Sequence, residues 1–393
     1  MLYLGQLIYE GTLMKNKVKK IVFIILAVIM AIIFSVSIGL YIGNQNFRSW
    51  ADKYVLKKNI QEDTLPRIDI EESKSYAVYA YSNRVVTLAD NVLTIYNSSA
   101  KEVSKINMQV TTPKFASCGD YLLVADENQP DMYLIYNESL QWSKNVDGNI
   151  SEITVNKNGA VGVVVTGTIY KSVIVMYDIN GDESFKTYLS STTATDIAIS
   201  ENAQYLSFVE INSSGTTITS VVKNISTKLA KENPSEAIVN TYKMESNTMV
   251  LSVKFKRENI VTMDDSSINL YNNQNEEKIY SFDKDTLYAD INLDGYACYL
   301  RENTEKIVNG DYLLKTINLD SKKENTYIVK NTVKSMKCSE NVIALNTGSD
   351  VEFVGTNGML IKRYESLKNI KDVILTKKIA AIVLKDRIEI VNL

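Results

Sequence analysis

Protein chemistry usually draws on a histidine, a reactive thiol or converging carboxylates, and this chain is poor in all three. Its 393 residues include no histidine. That removes the commonest general base, the serine and cysteine nucleophile arrangements built on it, and the commonest ligand of zinc, copper and iron. The three cysteines, Cys118, Cys298 and Cys338, are far apart with no CxxC spacing. Neither a metal knuckle nor a redox pair is signalled, the odd number argues against a disulfide framework, and all three are expected as buried core thiols. Asp264-Asp265 in "MDDSSINLYN" is an acid pair of a kind that binds calcium or moves protons. It occupies the same hairpin turn as Asp90 and Asp126 do in their own segments, so a solvated turn is expected. "DINGDES" (178–184) has part of a calcium loop but lacks the full spacing and terminal glutamate. No catalytic residue, metal site or cofactor is assigned.

The elements that carry these residues repeat. Shifting the chain by 36 residues aligns "YSNRVVTLADNVLTIYN" (81–97) with "SCGDYLLVADENQPDMYLIYN" (117–137), after a four-residue insertion. Six further apolar hairpins follow, and the eight copies end at Asn97, Asn137, Asp178, Asn224, Asn272, Asn318, Gly355 and Asn392. Asn, Asp and Gly suit one tight turn at the end of each unit's third strand. An alternating run precedes each hairpin and a fourth run follows most of them, the pattern of short strands between turns. First strands expected near 76, 111, 150, 194, 249, 285, 331 and 370 are 42 residues apart on average. That period fits a four-stranded propeller blade. The expected fold is therefore an all-β propeller of four-stranded antiparallel blades, eight favoured and seven the alternative. The last unit ends after three strands, and "PRIDIEE" (66–72) is the expected donor of the fourth.

A membrane segment precedes the repeats. Residues 21–42 carry no charge and are long enough, at about 1.5 Å per residue, to cross a hydrocarbon layer of roughly 30 Å. Lys15, Lys17, Lys19 and Lys20 precede the span and only Arg48 follows closely, which places the N-terminus in the cytoplasm. Phe47 and Trp50 fall where aromatics settle at the interface. A cleaved signal peptide, cut near Ser35-Val36-Ser37, is the competing reading. Met14, just ahead of the basic run, is an alternative start. The expected organisation is a short cytoplasmic segment 1–20, a transmembrane helix 21–42, a juxtamembrane tether 43–64 and a propeller outside the membrane at 65–393. Of 43 basic and 46 acidic residues, five basic and one acidic lie within 1–50, leaving 38 against 45 beyond it, a net charge of −7. Such a surface does not suit nucleic acid.

The segments "ITVNKNGAVGVVV", "IAISENAQYLSFV" and "INLDGYACYLRE", with the turn "YDINGDESF" (177–185), resemble the YVTN, TolB and quinoprotein-like propeller superfamily. Together with one N-terminal helix the chain resembles an uncharacterised family of single-pass membrane-anchored propellers of low-GC Gram-positive bacteria. The sialidase-type S-x-D-x-G-x-T-W box is missing, and two tryptophans cannot supply the repeated Trp of docked quinoprotein blades. Tyr96, Tyr136, Tyr177 and Tyr271 recur at one strand position and are expected to pack between blades. Binding is expected where the repeats diverge. The candidate partner-binding residues are Glu127, Asn128, Gln129 and Asp131, Asn212 and Ser213, and Glu302, Asn303, Glu305 and Asn309. All lie in second-to-third strand loops, hence on one face; the excursion 226–237 is a further irregularity. The expected role is a non-enzymatic scaffold outside the membrane, binding an envelope protein or cell-surface partner. The alternatives are a sensor with a ligand in the central channel and a carboxylate-dependent hydrolase of glycans or peptides.

Overall fold

The computed structural model describes residues 2–61, 65–245, 247–272, 275–304 and 311–393, with side chains described from Ile21 onward except at 45, 46 and 49. The chain divides into two compact units, residues 1–59 and 60–393.

The first unit is helical. One helix runs from Leu2 to Gly43, unbroken through Ser35–Ser37. Its Ile21–Gly43 portion has a mean hydropathy of 3.2 and none of its apolar window is buried, so it is long and apolar enough to cross a membrane. Asn44 then caps a short helix, Gln45–Trp50, by accepting the Phe47 N–H at 3.1 Å. Arg48 turns back to donate to the Tyr41 and Ile42 carbonyls at 2.8 and 2.7 Å. Those are carbonyls of the long helix's last turn, which lack helical partners and attract a cation. A π-helical turn at Ala51–Val55 buries Asp52. Its carboxylate accepts the Tyr41 hydroxyl at 2.7 Å and pairs with Lys58 at 2.8 Å, as a charge withdrawn from water requires. The segment after the long helix thus begins with two short helical elements, Gln45–Trp50 and Ala51–Val55.

The second unit is a ring of eight antiparallel sheets. Blades 1 to 7 span residues 77–107, 113–145, 149–189, 193–243, 250–281, 286–329 and 335–365, and blade 8 joins residues 372–392 to 67–69. Each observed first strand begins within four residues of its expected position. Strand order within a blade follows the sequence except at the closure. There Arg67–Asp69 pairs antiparallel with Arg387–Asn392, Ile68 lying opposite Ile388. Blade 7 differs by a fifth, outermost strand, Asn59–Gln61, added beside Leu360–Glu365.

Alternation places apolar residues on both faces of each sheet, and these faces meet between neighbours. The described core accordingly forms eight apolar clusters, one at every blade-to-blade seam. The seam between blades 8 and 1 joins Ile68, Ile379, Ala381, Ile388 and Ile390 to Val85, and the Thr376 hydroxyl donates to the Ser82 carbonyl across it at 2.8 Å. Tyr177 and Tyr271 are buried as expected; Tyr136 instead remains 39% exposed, lying against Tyr121 with centroids 4.6 Å apart.

Two consecutive seams carry the same polar clasp. Tyr327, on the outer strand of blade 6, donates at 3.0 Å to buried Glu352 in blade 7, which also pairs with Arg363. One blade on, Tyr364 donates at 2.8 Å to buried Glu389, which accepts from Arg387 at 2.6 Å. Burial and the neighbouring Glu352 charge push the Tyr327 phenol well above its usual range.

Four of the eight turn positions show the expected turn chemistry. Asn97, Asp178 and Asn318 each use a side-chain oxygen to accept two backbone N–H groups of the following turn, and Asn137 takes a positive φ of 54°. Asn224 does not sit at a turn. Its strand continues to Ser226 into a helix, Thr227–Glu232, and its buried side chain instead accepts from Ser207 at 3.0 Å. The excursion 226–237 moves the turn outward; its Ala230 and Ala237 pack into the seam between blades 3 and 4.

Ile68→Ala should destabilise the ring by about 2–4 kcal/mol, read as a lower urea midpoint. Tyr327→Phe leaves Glu352 short of a charged hydrogen bond and should cost about 1.5–3 kcal/mol in the same assay.

Candidate functional site

The sequence-selected loops are the second-to-third strand connections of blades 2, 4 and 6, on alternate blades of the ring. In blade 4, Asn212 accepts the Ser214 N–H and hydroxyl at 3.0 and 2.7 Å, with Ser213 exposed. In blade 6, Glu302 and Asn303 donate backbone N–H groups to the Asp285 and Asp311 carbonyls, both at 2.9 Å; Glu305 and Asn309 lie outside the described residues.

The blade 2 loop is different because it grips the next blade. Asn128, held at φ 62°, donates its N–H to the Ile150 carbonyl at 2.9 Å, and Gln129 accepts the Ile150 N–H at 2.9 Å. Pro130 accepts the Val146 N–H at 3.0 Å, and Asp131 accepts from the Asn145 side chain at 3.0 Å. Glu127 lies 3.7 Å from Lys114, which also pairs with Glu152 of blade 3 at 2.9 Å. The loop thus fixes residues 145–150, the crossing from blade 2 to blade 3.

That crossing forms one wall of a groove of about 980 Å³ between blades 2 and 3. Its floor comprises Val165, Val173, Val175 and Tyr177, side chains of the seam cluster itself. Opposite the crossing stands the blade 3 turn 167–171, where Ile169 is 93% exposed and Tyr170 contacts Tyr188 with centroids 4.7 Å apart. The far end is closed by Gly181 at φ 81°, where an added Cβ would lie 2.5 Å from Lys144 Cε and 3.1 Å from the Trp142 ring. Only glycine combines that backbone conformation with that approach. The Trp142 indole donates to the Ile179 carbonyl at 3.0 Å and holds this end in place. On the rim, Glu183 pairs with Lys186 at 2.7 Å and raises the pKa of its ammonium. Lys144 makes no ion pair among the described residues. Burial, with Glu183 nearby, raises the Tyr177 phenol. An apolar floor with a few charges at its edge suits an apolar or aromatic side chain presented on a polar backbone. Sequence reading missed this turn; its signal was the apolar Ile169-Tyr170 inside a Gly-Thr turn.

The carboxylates expected in solvated turns divide. Asp90 is exposed, whereas Asp126 and Asp264 are buried. Asp126 accepts the Thr111 and Thr112 N–H groups at 2.9 and 2.7 Å. Asp264 accepts the N–H and hydroxyl groups of both Ser266 and Ser267, at 2.6 to 2.9 Å, and the Asn269 amide at 3.0 Å. Its two oxygens are committed to closing a turn. Two of the cysteines also depart from expectation: only Cys298 is fully buried, while Cys118 and Cys338 are partly exposed. Cys118 is pushed up to about 11 by burial and by Glu340, Asp294 and Glu201.

Ring and helix together define the class: an eight-bladed β-propeller preceded by one apolar helix. Residues 56–393 match the Family of unknown function (DUF5711), and the chain belongs to that family. No curated protein matches it. Among solved structures, the C-terminal WD40 domain of Sif2 superposes with a TM-score of 0.54 at 11% identity, covering 84% of this chain and 99% of that one, and supports the propeller fold. BamB from Moraxella catarrhalis gives 0.49 at 9% identity, covering 83% of this chain and 100% of that one. Hydrazine synthase from Kuenenia stuttgartiensis gives 0.44 at 11%, covering 85% and 97%. Neither of these two bears on what this chain does.

Asp264→Ala should lower stability by about 2–4 kcal/mol, because it strands buried donors, detectable as a lower urea midpoint.

Proposed function

We propose that this protein is a membrane-anchored, non-enzymatic scaffold whose propeller stands outside the membrane and holds an envelope protein or cell-surface partner in the groove between blades 2 and 3. The anchor reading is supported by the apolar helix Ile21–Gly43 with four lysines before it, a bias that keeps the N-terminus in the cytoplasm. The acidic surface beyond residue 50 agrees with a protein partner and not with nucleic acid.

One observation carries the choice of function. The groove is floored by buried seam side chains, and on its walls Ile169 is 93% exposed and Tyr188 53% exposed. Large apolar side chains left in water around a concavity mark interaction surfaces. The outer strand Glu183–Leu189, which carries Tyr188, ends its sheet, the position at which an extended segment of a partner adds to a sheet. The hydrolase alternative loses support because Asp264 is engaged in its turn.

Two measurements test the proposal. Protease applied to intact cells should release the propeller, and complete protection would refute the topology. Crosslinking in cells followed by purification of the full chain should recover a reproducible partner, with recovery falling at least about tenfold for Ile169→Asp and Tyr188→Asp. Unchanged recovery with both variants would rule out the groove.

A further inference from the structure

We infer that Cys298 and Cys338 form an oxidisable pair that closes into a disulfide bracing blade 6 against blade 7. The two sulfurs lie 3.3 Å apart across the seam, on residues 40 positions apart in sequence. Cys298 sits in the second strand of blade 6, Tyr296–Glu302, and Cys338 in the first strand of blade 7, Ser335–Ser339. Both thiols are free in this structure.

The surroundings favour closure. Both cysteines belong to the seam cluster with Leu293, Leu300 and Ile343. The backbones beside them are already joined: the Asp294 N–H donates to the Glu340 carbonyl at 2.6 Å, and Leu293 bridges Glu340 in parallel. Bringing two sulfurs from contact to a bond of about 2.05 Å is a side-chain movement where the backbones already approach. Access is unequal. Cys298 is fully buried and Cys338 is the less buried residue of the two, so exchange is taken to begin at Cys338.

The chemistry is thiol–disulfide exchange with a small external disulfide. The Cys338 thiolate attacks one sulfur of that disulfide, its S–S bond breaks, and one external thiolate leaves. Cys298 then gives up its proton to solvent and attacks the Cys338 sulfur of the mixed disulfide, releasing the second external thiol. Two protein thiols are oxidised and one external disulfide is reduced to two thiols. Burial, the adjacent Cys298 and Asp290 raise the Cys338 thiol well above its usual range, so the first step is slow at neutral pH. Once formed, the bond closes a long loop of the unfolded chain and resists unfolding.

The test uses the full chain, solubilised from membranes in mild detergent, reduced, freed of reductant and exposed to oxidised glutathione. The chain is then unfolded in N-ethylmaleimide and mapped by mass spectrometry. The expected result is a linked peptide joining Cys298 to Cys338, with Cys118 alkylated. The oxidised form should melt about 5 °C higher than the reduced form. Cys298→Ala should trap glutathione on Cys338, whereas Cys118→Ala should leave the link intact and serves as the folded control. Alkylation of all three thiols after oxidation, a link involving Cys118, or a stable glutathione adduct on Cys338 in the unmodified chain would overturn the inference. Equal melting temperatures for the linked and reduced forms would overturn the bracing role.

Discussion

The pairing of Arg67–Asp69 with the last strand of the chain is the contact on which the rest of the ring depends. Without it blade 8 would be a sheet of three strands. With it, Ile68 joins Ile379, Ala381, Ile388 and Ile390 against Val85 of blade 1, completing the seam that gives every blade an apolar neighbour on both sides. The closure removes both end surfaces, as a sheet protein of this kind needs. It also makes the eight seams mutually dependent, since no blade can lean away without parting two of them.

Buried polar groups inside such a ring need partners, and at two seams the partners come from the neighbouring blade. Glu352 and Glu389 are buried carboxylates, each held by a tyrosine from the preceding blade and an arginine. The two clasps occupy successive seams, next to the blades that receive the N-terminal strands Asn59–Gln61 and Arg67–Asp69. Apolar packing is tolerant of sliding, whereas a buried charge-assisted hydrogen bond has one good geometry. The clasps therefore fix the relative positions of blades 6, 7 and 8 more tightly than their apolar seams alone.

Much of the architecture was legible from the chain alone because strand alternation and turn residues are local signals. The hairpin "YLLVADENQPDMYLIYN", compared with "YSNRVVTLADNVLTIYN", already contains the period and two strands of a blade. What escaped was whatever depends on a turn folding inward or on two blades at once. Asp264 reads as a surface turn residue because its partners Ser266, Ser267 and Asn269 are ordinary polar residues; nothing local says that the turn folds inward. The groove was missed because its walls come from residues 145–148 and 167–170, which are unremarkable separately. Cys298 and Cys338 read as isolated, yet their separation of 40 residues is close to one blade period, and that was the available sign that they are neighbours. Asn224 misled in the opposite direction, since an insertion after it displaced the turn it appeared to mark.

The closure also has a temporal consequence. Synthesis proceeds from the N-terminus, so the strand around Ile68 is among the first of the ring to be made, while its partner around Ile388 is among the last. The edge it will occupy does not exist until the strand around Ile388 has been made, and the intervening loop holds all the other blades. Seven blades can collapse onto one another as they appear, each by short-range hairpins, but the segment 65–70 must wait unpaired for the final one. Closing the ring therefore carries a larger loop-closure cost than forming any hairpin within a blade.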